Sequence, residues 1–196
     1  MRDDLINSAL CTMRCFPGFF MHPLDIIDSM DPREFISPSS YDVLLSDVTH
    51  ELLLGQIAEK MEIEYLSFHG TQCTAESSTK GILFGANARP MVNLKIASTK
   101  FKKFVNIIFL VDTGSPCLYV CEKAMIALGF SDHIPMSFDV LFNNLSFEAV
   151  MSPLVMPNGE VGHYKDINLI GATFLSKARA KLIIDYKMNE VIMEFS

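Results

Sequence analysis

The sequence lacks several things, and each absence excludes a class of function. No apolar run reaches 18 residues, so no membrane-spanning helix is expected. Positive charge is not in excess: 16 Lys and Arg face 23 Asp and Glu, a net charge of −7, which argues against nucleic acid as the main partner. No Cys-x-x-Cys pair occurs among the five cysteines, since Cys11 and Cys15, like Cys117 and Cys121, are separated by three residues. A zinc site from Cys11, Cys15 and His22 is conceivable by residue type, but reduced thiols in a cytoplasmic compartment are the simpler expectation. Asp3 and Asp4 sit where a leader would need an apolar core, so a secretory signal is not expected and Asn144-Leu145-Ser146 carries no expectation of glycosylation. Leu54 stands where His50-Glu51 would need a second histidine, and neither Gly81 nor Gly85 opens a phosphate-binding loop. Cys117 replaces the second glycine of a serine-nucleophile elbow around Ser115. Neither a metal nor a cofactor is expected.

What is present describes a folded chain of 196 residues, 49% apolar and 20% charged. Its charge is uneven: residues 1–90 carry 6 basic and 13 acidic groups, while 91–196 carry 10 of each. Residues 1–40 are broken by Pro17, Pro23, Pro32 and Pro38, and Phe16, Phe19 and Phe20 follow no period. From Ser46, a candidate N-cap, to Glu64 the pattern is helical, with Leu52, Leu53, Ile57 and Met61 on one face. Gly70, Gly81, Gly85, Pro90 and the polar run from Thr74 to Lys80 read as a linker. The expected division is an acidic, partly helical region over 1–68, a linker over 69–90 and a domain over 91–196.

The texture changes to strands after Met91. Val92, Leu94 and Ile96 alternate with Asn93, Lys95 and Ala97, as in a half-buried strand. Residues 105–111 are nearly all apolar and predict a strand buried on both faces. A short helix over 122–128 closed by Gly129, a hairpin turning on Asn143-Asn144, a buried strand over 167–170, a helix over 172–180 and a final hairpin around residues 187–190 complete the pattern.

Chemistry enters at Phe109-Leu-Val-Asp112-Thr113-Gly114-Ser115. A carboxylate at the end of a buried strand is costly unless it is hydrogen-bonded or shares a proton. Thr113 supplies a hydroxyl beside it, and Gly114 lets the chain turn and bring an amide close. A second element follows at Asn168-Leu-Ile170-Gly171-Ala-Thr-Phe-Leu, an apolar strand ending in glycine before a helix.

The two elements, with the ending Leu182-Ile-Ile-Asp-Tyr-Lys-Met-Asn-Glu-Val-Ile-Met, resemble the retroviral-type aspartic proteases, the retropepsins. The ending is similar to the retropepsin-like core of DNA-damage-inducible shuttle proteins and retrotransposon proteases. The resemblance covers about residues 91–196. It implies a mainly β fold: a closed retropepsin-like barrel of the single-lobe, homodimeric type with short helices. It also implies an aspartic endopeptidase whose catalytic residues are Asp112, Thr113 and Gly114, supported by Ser115, Ile170 and Gly171. One Asp-Thr-Gly supplies one carboxylate where the chemistry needs two, so the implied enzyme is a homodimer acting on polypeptide. Thr113 would hydrogen-bond across the two-fold axis, and the Ser115 hydroxyl would contact the carboxylate.

The family also implies a glycine-tipped flap after the first short helix, where only residues 131–137 are available, without glycine; residues 153–166, with Asn158-Gly159-Glu160, are the other candidate. Two alternatives accompany this reading. The domain could be a catalytically degenerate module for homodimerisation or protein binding, or Asp112 could merely cap the helix that follows.

Overall fold

The computed structural model describes residues 48–131, 133–152 and 165–196. All described residues belong to one compact unit, Asp42–Ser196. The Cys11, Cys15 and His22 group and the irregular first forty residues therefore lie outside the described residues.

The chain enters through a helix, α1, running from His50–Leu52 through a π-helical stretch, Leu53–Ile57, to Ala58–Met61. Thr49 caps it, its hydroxyl accepting the Leu52 N–H at 3.4 Å, and Glu51 lies in the first turn, where a negative charge suits the exposed amides. The helix thus begins later than the expected Ser46. Leu53 and Ile57 are fully buried, so this helix packs into the core shared by the strands. Burial of each such side chain contributes about 1.5–3 kcal/mol.

Ten strands follow. They are β1 (Phe68–Gly70), β2 (Ser78–Phe84), β3 (Arg89–Ser98), β4 (Phe104–Val111), β5 (Leu118–Val120), β6 (Ser137–Phe142), β7 (Leu145–Met151), β8 (Leu169–Ile170), β9 (Lys181–Asp185) and β10 (Glu190–Glu194). Two further helices are α2 (Glu122–Ala127) and α3 (Ala172–Lys177). The sheet order is β1-β4-β8-β5-β7-β6-β3-β2-β10-β9, and a β3–β4 pairing closes six of the strands into a barrel. The barrel is mainly antiparallel, but β4 pairs with β8 and β5 with β7 in parallel. The β4–β8 pairing brings Asp112 and Gly171, which follow those strands directly, to the same end. Mainly β with a closed barrel and short helices is the fold class the sequence implies.

Local patterning accounts for most elements. β4 is buried from Ile107 to Val111, as its apolar run predicts. Asn143 and Asn144 both take left-handed backbone (φ 49° and 63°), the geometry a two-residue hairpin turn needs. The final hairpin turns through Asp185, whose Oδ1 accepts the N–H groups of Lys187 and Met188 at 2.9 and 3.0 Å.

The stretch 69–90, expected as a linker, differs. It carries β2, which pairs with both β3 and β10 inside the sheet. Gly81 was the misleading residue. A Cβ there would lie 2.0 Å from the Met91 carbonyl oxygen, so the glycine permits close approach of two strands rather than free rotation of a joint.

Candidate active site

Asp112 follows the last residue of β4. Its backbone N–H donates to the Ile170 carbonyl at 3.0 Å, one step beyond the Val111–Ile170 pairing of β4 and β8. The chain then turns: the Ser115 N–H donates to the Asp112 carbonyl (3.2 Å), and the Gly114 N–H donates to Asp112 Oδ1 (2.9 Å). The carboxylate is half-buried, while Thr113 and Gly114 are exposed. Among the described residues the Gly114 amide is the group that reaches the carboxylate, and Ser115 acts through its backbone rather than through the expected hydroxyl contact.

The second element locks this loop from behind. Ile170 is fully buried, and Gly171 stands at the N-cap of α3. The Ala172 N–H donates to the Ser115 carbonyl (2.7 Å), and both the Thr173 N–H (3.1 Å) and the Thr173 hydroxyl (2.6 Å) donate to the Pro116 carbonyl. A Cβ on Gly171 would lie 2.3 Å from the Cys117 carbonyl oxygen and 2.5 Å from that of Ser115. Real Cβ atoms do not come so near backbone oxygens, so only glycine allows the two elements to interlock. The structure therefore brings together all six residues the sequence singled out: Asp112, Thr113, Gly114, Ser115, Ile170 and Gly171. Asp112 is not a helix cap, because α2 begins only at Glu122 and has Cys121 in the N-cap position.

Behind the loop is a polar cluster that the sequence reading did not assign. Asn168 is fully buried. Its Nδ2 donates to the Tyr65 hydroxyl (2.7 Å) and the Ile108 carbonyl (3.1 Å), and its Oδ1 accepts the Cys121 N–H (2.9 Å). One side chain thus ties together β4, the start of α2 and the segment after α1. An asparagine inside the apolar run 167–170 was the available signal, because a buried amide must find partners. Burial pushes the Tyr65 hydroxyl well above its ordinary pKa and raises that of the Cys121 thiol, so both stay protonated. Burial also lowers the pKa of His50, whose ring lies 5.9 Å from that of Tyr65.

The connection from α2 to β6 is short and tied down. Phe130 packs edge-on between Phe101 and Phe138, with centroids 5.2 and 4.9 Å away, and the Met136 carbonyl accepts the Met151 N–H (2.8 Å). No strand lies within this connection among the described residues, whereas a flap requires a projecting hairpin. The other flap candidate, 153–166, lies almost wholly outside the described residues, as does His163. Among the described residues no three His, Cys, Asp or Glu side chains gather at metal-binding distance, and no helix is long and apolar enough to cross a membrane.

No family model matches the sequence, and no curated protein matches it. Among solved structures, a retropepsin-like aspartic protease from Rickettsia conorii is similar, with 17% identity over 63% of this chain and 96% of that one, and a TM-score of 0.37.

Proposed function

We propose that the chain is an aspartic endopeptidase, and that it hydrolyses polypeptide through a water activated by the Asp112 residues of two chains in a homodimer. The observation that carries this reading is the half-buried Asp112 carboxylate, held by Gly114 in a loop interlocked with Gly171. A carboxylate serving only the fold would engage its oxygens with surrounding groups; among the described residues this one accepts only the Gly114 N–H.

Two such carboxylates facing each other across a symmetry axis cannot both ionise, so they share one proton. The ionised member takes a proton from a water held between them. The water attacks the scissile carbonyl, which the protonated member polarises by donating to its oxygen. Collapse of the tetrahedral intermediate passes a proton to the leaving amine. Thr113, exposed beside the axis, would bond across it and hold the two loops in register. In this reading residues 91–196 carry the catalytic loop, residues 69–90 supply a strand of the same sheet, and 1–68 precede them. A retrotransposon-derived or domesticated protease of a reducing, cytoplasmic compartment fits the resemblance and the unpaired thiols of Cys73, Cys117 and Cys121.

The tied-down connection after α2 favours a second reading, in which the barrel is a degenerate homodimerisation or protein-binding module without cleavage. Incubation with unfolded protein substrates over a series of acidic to neutral pH values separates the two. The protease reading expects cleavage by the wild type, none by Asp112→Asn, and tight binding of a peptide mimic carrying a tetrahedral hydroxyl at the scissile position. Absence of both cleavage and binding in the wild type selects the module.

A further inference from the structure

Helix α1 buries one face and leaves the other uncovered. Leu53 and Ile57 belong to the core, but Leu54 keeps 54% of its surface. Leu54, Ala58 and Ile63 give apolar surface to a groove of about 590 Å³ between α1 and the segment that follows it. Glu59, Glu62 and Glu64 line the same groove, and all three are exposed. Among the described residues no cation answers these carboxylates: the ion pairs are Lys95–Glu76, Lys123–Asp166 and Lys181–Glu194, and Lys60, next in sequence, lies over the Phe84 ring. Two backbone features shape the groove. The π-helical stretch Leu53–Ile57 runs beside it, and such insertions into α-helices are frequent at functional surfaces. A Cβ on Gly55, within that stretch, would meet nothing within 4 Å. Glu62 closes the helix in left-handed backbone (φ 55°), where glycine would fit without strain. The acid held there makes no ion pair with a described residue in exchange.

We propose that this groove docks a partner protein through a short peptide segment that carries an apolar side chain between Lys or Arg residues. Charge complementarity selects that occupant. Three carboxylates border the apolar surface, and the groove lies at the C-terminal end of α1, where the helix dipole adds negative potential. Cations on the incoming segment answer both, and their long aliphatic stems can lie along Leu54 and Ile63. An apolar side chain between them covers Leu54, and removing that surface from water favours the docked state. The same charges act against other occupants. A nucleic acid or an anionic membrane would be repelled, and a second copy offering this face would set carboxylates against carboxylates. The groove shares no residue with the Asp112 loop, so the proposal holds for a protease and for a module alike.

Fluorescence anisotropy of the full chain with a labelled octapeptide library tests the surface. Each peptide carries one central Leu, Ile or Phe flanked by Arg on both sides, at varied spacing. The wild type is expected to bind a subset of the library, more weakly as salt is raised. Leu54→Ser, and separately Glu59→Lys combined with Glu62→Lys, are expected to weaken that binding by about tenfold or more. These side chains are exposed, so circular dichroism of the variants is expected to match the wild type. Replacing the peptide's central residue by Gly, or its Arg residues by Glu, is expected to abolish binding. Failure of the wild type to bind any member overturns the proposal. So does binding that is indifferent to Leu54→Ser and to the peptide's apolar residue, which would be diffuse charge attraction, or binding that survives the Glu59 and Glu62 reversal. Assemblies larger than two copies that Leu54→Ser dissolves would give the groove to another copy of this chain, and would overturn it as well.

Discussion

Asp112 and Asn168 belong to neighbouring segments of the barrel, yet their polar groups are treated in opposite ways. Asn168 has no exposed surface, and three groups from three parts of the chain use its amide. Asp112 is half-exposed, and one amide from its own loop reaches its carboxylate. The first arrangement maximises order, because each unmade bond would leave a buried group without a partner. The second leaves the carboxylate with one partner among the described residues. A rigid, satisfied polar centre behind an under-committed carboxylate is what a preorganised site requires.

The sharpest break of this contrast is Asp112→Asn. Under the proposed endopeptidase function it should lower peptide cleavage by about 10³-fold or more, through loss of general acid–base catalysis, while urea unfolding stays within about 0.5 kcal/mol of wild type. Gly171→Ala should do the reverse and act on the fold. Its methyl group collides with two backbone oxygens that cannot swing aside, so a loss of about 3 kcal/mol is expected in the same unfolding measurement, with loss of any activity. Asn168→Leu fills the space but orphans the Cys121 N–H and the Ile108 carbonyl, and should cost about 2–3 kcal/mol. Tyr65→Phe removes the bond from Asn168 and a long contact with the Cys121 sulfur (3.9 Å), and should cost about 1 kcal/mol.

The smallest effect sharpens the comparison through pH. Burial, reinforced by the charge of Lys123, lowers the pKa of His50 below 6.5, against the opposing pull of Asp166 and Glu51. The unfolded chain therefore binds this proton more readily than the folded one. The His50 contribution is complete above the unfolded value and is lost as pH falls through the folded one. Thermal melts of His50→Gln should accordingly lose less stability than wild type as the pH is taken from 7 towards 5, by an amount too small to change the fold.

Much of this architecture was legible wherever one local rule decided the outcome. The buried run of β4, the Asn143-Asn144 turn and the two elements of the site are short patterns with few alternatives. What escaped depended on contacts distant in sequence. Tyr65 and Asn168 lie 103 residues apart and meet through a hydroxyl and an amide that no periodicity announces. Gly81, with Gly70, Gly85 and Pro90, reads as part of a linker because a glycine that admits a neighbouring backbone and one that permits rotation look identical in sequence. Helix α1 was expected as a separate feature, but Leu53 and Ile57 are part of the barrel's own core.

The β4–β8 pairing has a temporal consequence. β4 up to Leu110 forms a hairpin ladder with β3 as soon as the local chain exists, but the parallel partners of Leu110 and Val111, Leu169 and Ile170, lie almost sixty residues further along. Contacts of such long separation form late, because the entropy of closing the intervening loop must be overcome first. The carboxylate loop therefore acquires its backing only near the end of folding. A chain still emerging from the ribosome carries the acid without its framework until Leu169 and Ile170 have been made.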